Sequence, residues 1–213
     1  MTVYSRSQPV PSDPPGARRS WAAGPGGPAA ADPWAAPEPP PQRAAKLLLV
    51  PFLAGCAVAI TLGVYGSVHT GTGVAVNLAG FSGPVPAKVW LTMASFTFAV
   101  VQVVSAFVMY RSGSAGAGTV HRWSGRIAFL LAVPVAVHCL YAQGFADFNA
   151  RVLIHSLLGC VFFGAFTVKM LGLRRPGLPG WVLPVLGGVT FALLVGVWWT
   201  SSLWFFYYFG FEF

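Results

Sequence analysis

Five runs of about twenty apolar residues, none containing a carboxylate, constrain this chain more than any other feature of it, because that is the helical length needed to cross a hydrocarbon core. They lie near residues 46–66, 88–110, 126–145, 152–173 and 181–208. Composition agrees: 55% of the 213 residues are hydrophobic and only 8% charged, whereas a soluble domain carries about 25% charged residues. The expected fold is therefore all-α, a polytopic transmembrane helix bundle of five spans in a cell membrane, with the lipid bilayer as its first partner. The fifth run ends in WWTSSLWFFYYFGFEF, whose Trp and Tyr residues suit a membrane interface.

Outside the runs, the chain divides at residue 43. Residues 1–43 hold eleven of the eighteen prolines, with much Gly, Ala and Ser, so they cannot bury enough apolar surface to offset their ordering entropy and are expected to form a disordered tail ahead of a 44–213 bundle. The tail has no apolar core of the signal-peptide kind, so the first run reads as an uncleaved anchor. The net charge of +8 comes from basic residues scattered singly at run ends, without the aromatic and basic stripe of a nucleic-acid binder, and nucleic acid is excluded as a partner. Their distribution orients the chain. With the N-terminus cytoplasmic, eleven Lys and Arg fall inside and only Lys88 and Arg151 outside, which places the C-terminus outside.

Chemistry concentrates between His121 and Met170, which hold three of the four histidines in two apolar runs joined by a short polar turn. An ionisable ring in a membrane span is costly without a partner and is a functional hypothesis by default. Under the orientation above, His138 lies roughly 10 Å and His155 roughly 5 Å below the outer edge, counting helical rise. The two are expected to face one another from adjacent spans, and a b-type haem held by both as axial metal ligands fits such a gap. Gly159 follows His155, and Gly125 follows His121, at the i+4 position; each offers either a flat face to a ring or a close helix contact. His121 is expected at the cytoplasmic mouth of the third span, roughly 25 Å from His138. It serves either a second haem, with Met109 or Met170 as the soft candidates at that depth, or the interface beside Arg122 and Arg126. His69, in SVHTGTG just beyond the first span, is either a solvated loop residue or a substitute ligand for the outer haem.

No span carries an acidic relay, Lys169 is expected to snorkel to headgroups, and catalytic triads, phosphate loops and zinc spacings are absent. Cys56, Cys139 and Cys160 lie singly in apolar runs and read as small buried hydrophobes.

With HRWSGR at His121, then His138, then HSLLG at His155, the chain resembles the cytochrome b561 and ferric-reductase group of transmembrane b-type cytochromes over about residues 45–208, and looks like a small membrane family of high-GC bacteria within it. The resemblance implies haem b, electron transfer, and a quinone or an iron–sulfur protein as redox partner. Members of that group typically hold two haems on four helix-borne histidines, whereas His69 here falls in a loop. The competing expectation is a cofactor-free anchor or scaffold subunit whose histidines are structural.

Overall fold

A computed structural model describes residues 41–211 apart from 76, 78 and 79, with side chains from residue 45 onward. The tail through residue 40, its expected disorder, and Arg6, Arg18 and Arg19 lie outside the described residues.

All regular structure described is helical: α1 (Pro41–Val68), α2 (Pro84–Ser112), α3 (Ala115–Val137), α4 (Ala150–Gly172), α5 (Val182–Trp198) and a short α6 (Trp204–Phe209). A π-helical turn, His138–Gln143, prolongs α3, and a second, Trp199–Leu203, joins α5 to α6. Five rods result, each long and apolar enough to cross a membrane. Only 11–22% of the most apolar stretch of each rod is buried inside the bundle, so most of that hydrophobicity faces outward, as a lipid environment requires and a water-soluble core would not.

The third rod starts at Ala115, eleven residues before the expected 126. Local chemistry explains the difference. Gly113, at φ 62°, ends α2 in the left-handed region with its N–H on the Met109 carbonyl, and Ser114 Oγ then accepts the Ala117 N–H at 3.3 Å to cap α3. Two residues thus make a helical hairpin, and the polar stretch TVHRWSGR is carried inside a helix by its cap. His121 consequently sits nearly two turns into α3.

The rods pack as α2 on α3, α1 on α4 and α4 on α5. The α1–α4 crossing is the tightest: a Cβ on Gly164 would meet the Gly55 carbonyl oxygen at 2.7 Å and Ala59 Cβ at 3.0 Å, and one on Gly55 would strike Gly164 and Val168. Backbones approach this closely only across small residues. A central cluster of Ala99, Ala128, Ala132, Phe162 and Leu194 joins α2, α3, α4 and α5. Buried hydroxyls tie the helices further, Ser95 donating to the Ala128 carbonyl at 2.8 Å and Ser202 to the Val89 carbonyl at 3.0 Å. Joined by only six residues, α3 and α4 are neighbours as expected: Phe129 stacks on Phe166 at 4.1 Å, and nearer the connection the two helices border a chamber.

Candidate cofactor site

His155 stands five residues into α4, whose first turn is capped by Asn149 Oδ1 accepting the Val152 N–H at 2.9 Å. Its Nδ1 lies 3.0 Å from Thr200 Oγ1. The Thr200 hydroxyl has one hydrogen and points it back along α5, 2.8 Å from the Gly196 carbonyl, so its oxygen accepts the His155 Nδ1–H. The lone pair of the neutral ring is thereby left on Nε2, the nitrogen a metal or a proton would use.

The π-helical turn Trp199–Leu203 brings Thr200 to this position. Its Thr200 carbonyl accepts from Arg151 Nη1 at 2.6 Å, and the Arg151 guanidinium lies 3.7 Å over the Trp204 ring. π-Helical turns recur at functional sites because the widened turn releases backbone groups from the regular ladder. The other such turn, His138–Gln143, projects Gln143, whose Oε1 accepts from Lys88 Nζ at 3.1 Å.

Two adjoining spaces meet at His155. The first, about 120 Å³, is apolar and lies between α3 and α4, with Ala136, Cys139, Gly159, Cys160 and Phe163 in its walls. The second, about 410 Å³, is a vestibule bounded by Lys88, Arg151, Thr200, Ser201 and Trp204. Gln143, Ala146, Val152 and His155 line both. A Cβ at Gly159 would meet nothing within 4 Å, so the glycine leaves a bare patch of α4 one turn beyond His155. Among the described residues no Asp or Glu lines either space, and Lys88 and Arg151 donate to neutral oxygens.

The other three histidines are placed differently. His138 lines neither space. The chamber face of the third rod runs through Ala132, Val135, Ala136, Cys139 and Gln143, and His138, one residue from Cys139, is turned away from it by about 100° of helical phase. The expected face-to-face pair with His155 is not what these walls form. Depth along a helix depends on residue count alone, whereas facing depends on phase, and the depth match between the two rings carried no information about phase.

His121 lies on the α2–α3 contact, its Nδ1 2.9 Å from the Gln102 carbonyl. A Cβ at Gly125 would run into the Gln102 side chain, so that glycine admits an amide from α2 rather than a flat cofactor. Met109 lies nearby against Gly118, while Met170 is exposed. His69 is stacked between Tyr65 and Tyr141 at centroid distances of 4.9 and 5.5 Å, and its Nε2 donates to the Tyr141 carbonyl at 3.1 Å. Thr72 N and Gly73 N donate to the Tyr141 and Ala142 carbonyls. His69 and its loop thus satisfy carbonyls at the end of the third rod, where a helix leaves them without partners.

Thr200 and Gln143 were not legible as site residues, since each is an ordinary polar residue near a rod end. One signal was present. Lys88 and Arg151, the two basic residues set apart by the charge count, both line the vestibule.

A family model described as Family of unknown function (DUF6529) matches residues 48–213. The chain belongs to this family. The match takes in all four histidines, both spaces and both π-helical turns of this DUF6529 chain. Neither the curated proteins nor the solved structures gave a match.

The arrangement has a definite chemical capacity. It offers one imidazole whose Nδ1 is engaged by Thr200, apolar walls with a bare helix patch, and two cations that have no carboxylate partner among the described residues. The chamber alone is benzene-sized, while the vestibule reaches the range of small-molecule sites, and the two share four lining residues, His155 among them.

Proposed function

We propose that the protein is a membrane b-type cytochrome in which His155 supplies an axial nitrogen to haem b. The observation that carries this reading is the 3.0 Å contact between His155 Nδ1 and Thr200 Oγ1, which assigns the ring proton to Nδ1 and leaves Nε2 as the basic nitrogen of a ring that borders both the chamber and the vestibule. Gly159 leaves room beside the ring, the chamber walls exclude water, and Lys88 and Arg151 suit the two propionate carboxylates. When bound, haem supplies one-electron redox chemistry whose potential is set by its axial ligand and by burial. The residues of this chain hold, orient and desolvate it. A quinone or an iron–sulfur protein is the electron partner consistent with the resemblance to b-type membrane cytochromes.

The eleven-to-two basic asymmetry supports an orientation with the His155 end outside and the N-terminus cytoplasmic. A periplasm-active reporter fused after Phe213 is expected to be active, and one inserted between Gly113 and Ser114 silent. The reverse pattern overturns the orientation.

The decisive experiment is a reduced-minus-oxidised visible spectrum of the full chain purified in detergent after expression with ample haem. A b-type band is expected, lost in His155→Ala and retained in His138→Ala. A second reading, a cofactor-free anchor or scaffold subunit, is favoured by one observation: among the described residues every buried side-chain nitrogen and oxygen already has a hydrogen-bond partner. A well-folded wild-type protein without the band would decide for it.

A further inference from the structure

The vestibule holds more hydrogen-bond donors than the chain itself satisfies. Lys88 in the second turn of α2 and Arg151 in the first turn of α4 both line it. Each lies within about 6 Å of its helix start along the axis, the depth at which a rod that crosses a bilayer meets the headgroups. The Lys88 ammonium gives one hydrogen to Gln143 Oε1 at 3.1 Å and keeps the others. Arg151 donates from Nη1 to the Thr200 carbonyl, and its Cζ lies 3.7 Å from the Trp204 ring centroid. That stack anchors the guanidinium and leaves its remaining N–H groups without an acceptor among the described residues. Gln143 adds amide hydrogens that likewise have no acceptor there. Asp147, although next in sequence to the lining residues Ala146 and Phe148, is exposed and outside the lining.

From this surplus we infer that the vestibule binds a phosphate group carried on an apolar body, with the phosphate oxygens held by Lys88 and Arg151. Two cations lining one hollow suit a head that spreads its charge over several oxygens. Guanidinium matches phosphate with paired N–H bonds, and ammonium binds it as a point charge. The apolar body follows from the other walls, Val85, Val89, Phe148, Val152 and Phe205, which a bare ion would leave in contact with water. The volume of about 410 Å³ equals that of roughly fourteen water molecules in the liquid, at about 30 Å³ each. That holds a phosphate and one short chain, not a whole two-chain lipid. A lipid headgroup whose chains leave for the bilayer and a free phosphate monoester present the same chemistry, and basic pockets between membrane helices suit both. The inference does not rest on the haem reading, under which haem carboxylates hold the same cations. The two name different occupants of one vestibule and are tested by different signals.

The test uses the full chain purified in detergent, with equilibrium binding of radiolabelled decyl phosphate and the thermal midpoint as readouts. Decyl phosphate is expected to bind saturably, one per chain, and to raise the midpoint. Decanol, the same chain without the head, should do neither, and inorganic phosphate alone should compete only weakly. Lys88→Gln is expected to weaken decyl phosphate roughly tenfold or more. Arg151→Lys, which keeps the charge and loses the paired donors, should weaken it by a smaller factor. An unliganded midpoint equal to wild type shows that each variant is folded, and Lys88→Gln suffices if Arg151→Lys is not. Nanodiscs of phosphatidylcholine with and without phosphatidylglycerol name the source: displacement of decyl phosphate by phosphatidylglycerol assigns the site to a lipid headgroup, and no displacement assigns it to a free phosphate ester. Equal binding of decanol and decyl phosphate overturns the proposal, as does an affinity unchanged in Lys88→Gln. A b-type band without saturable phosphate binding overturns this proposal alone, and phosphate binding in a folded chain without the band overturns the haem reading alone.

Discussion

The two ends of the bundle use the same residue type in opposite ways. At the end carrying His155 the helices part, two π-helical turns face a common space, and the cations Lys88 and Arg151 have no carboxylate partner among the described residues. At the end carrying His121 the space is filled. Gln102 lies against Gly125 and its carbonyl accepts from the His121 ring. A histidine on an apolar helix is therefore a ligand candidate or a clamp between helices according to what occupies the space beside it, and the i+4 glycine marks both cases equally. Beside His155 the glycine leaves a void, beside His121 it admits a side chain.

That contrast can be broken in three places. The largest effect is expected at the packed crossing of α1 and α4, which braces the helix that carries His155. Gly164→Leu forces a branched side chain into the Gly55 backbone and is expected to cost about 1–3 kcal/mol or more. The readout is a lower thermal midpoint together with a reduced yield of monodisperse protein; an unchanged midpoint would mean that the crossing is looser than described.

Thr200→Val is next. It removes the oxygen that accepts from His155 Nδ1 while keeping the side-chain shape, and such supporting contacts are worth roughly 10–100-fold in metal affinity. Haem retention on dilution should weaken by that order, with the thermal midpoint little changed. Equal retention in Thr200→Val and wild type would remove the tautomer argument.

The smallest effect is expected at the packed end. His121→Ala deletes one hydrogen bond across α2 and α3, worth about 1 kcal/mol, and should leave the visible spectrum untouched. A spectral change on this substitution would transfer function to the end of the bundle read here as structural.

These outcomes bear on how far each part of the molecule could be read in advance. The five spans were legible because crossing a bilayer demands a minimum apolar length, which is a property of contiguous residues. The start of the third span was not, since its first eleven residues are too polar for that criterion and owe their helicity to the Gly113 and Ser114 caps. Among the histidines, His155 borders the chamber, and its partner Thr200, forty-five residues away, was not legible from its place in the chain.

The sequence by itself determined the all-helical, five-span class, the apolar exterior and the separation of Lys88 and Arg151 from the other basic residues, all of which depend on composition within a segment or on counting along it. Only the tertiary structure decided which histidine borders a cavity, which is locked to a neighbouring helix and which satisfies the carbonyls at a helix end. The reason is geometric. A shift of one residue moves a side chain by only about 1.5 Å in depth but rotates it by about 100° around the axis, and the azimuth that faces a cavity is set by how the neighbouring helices pack.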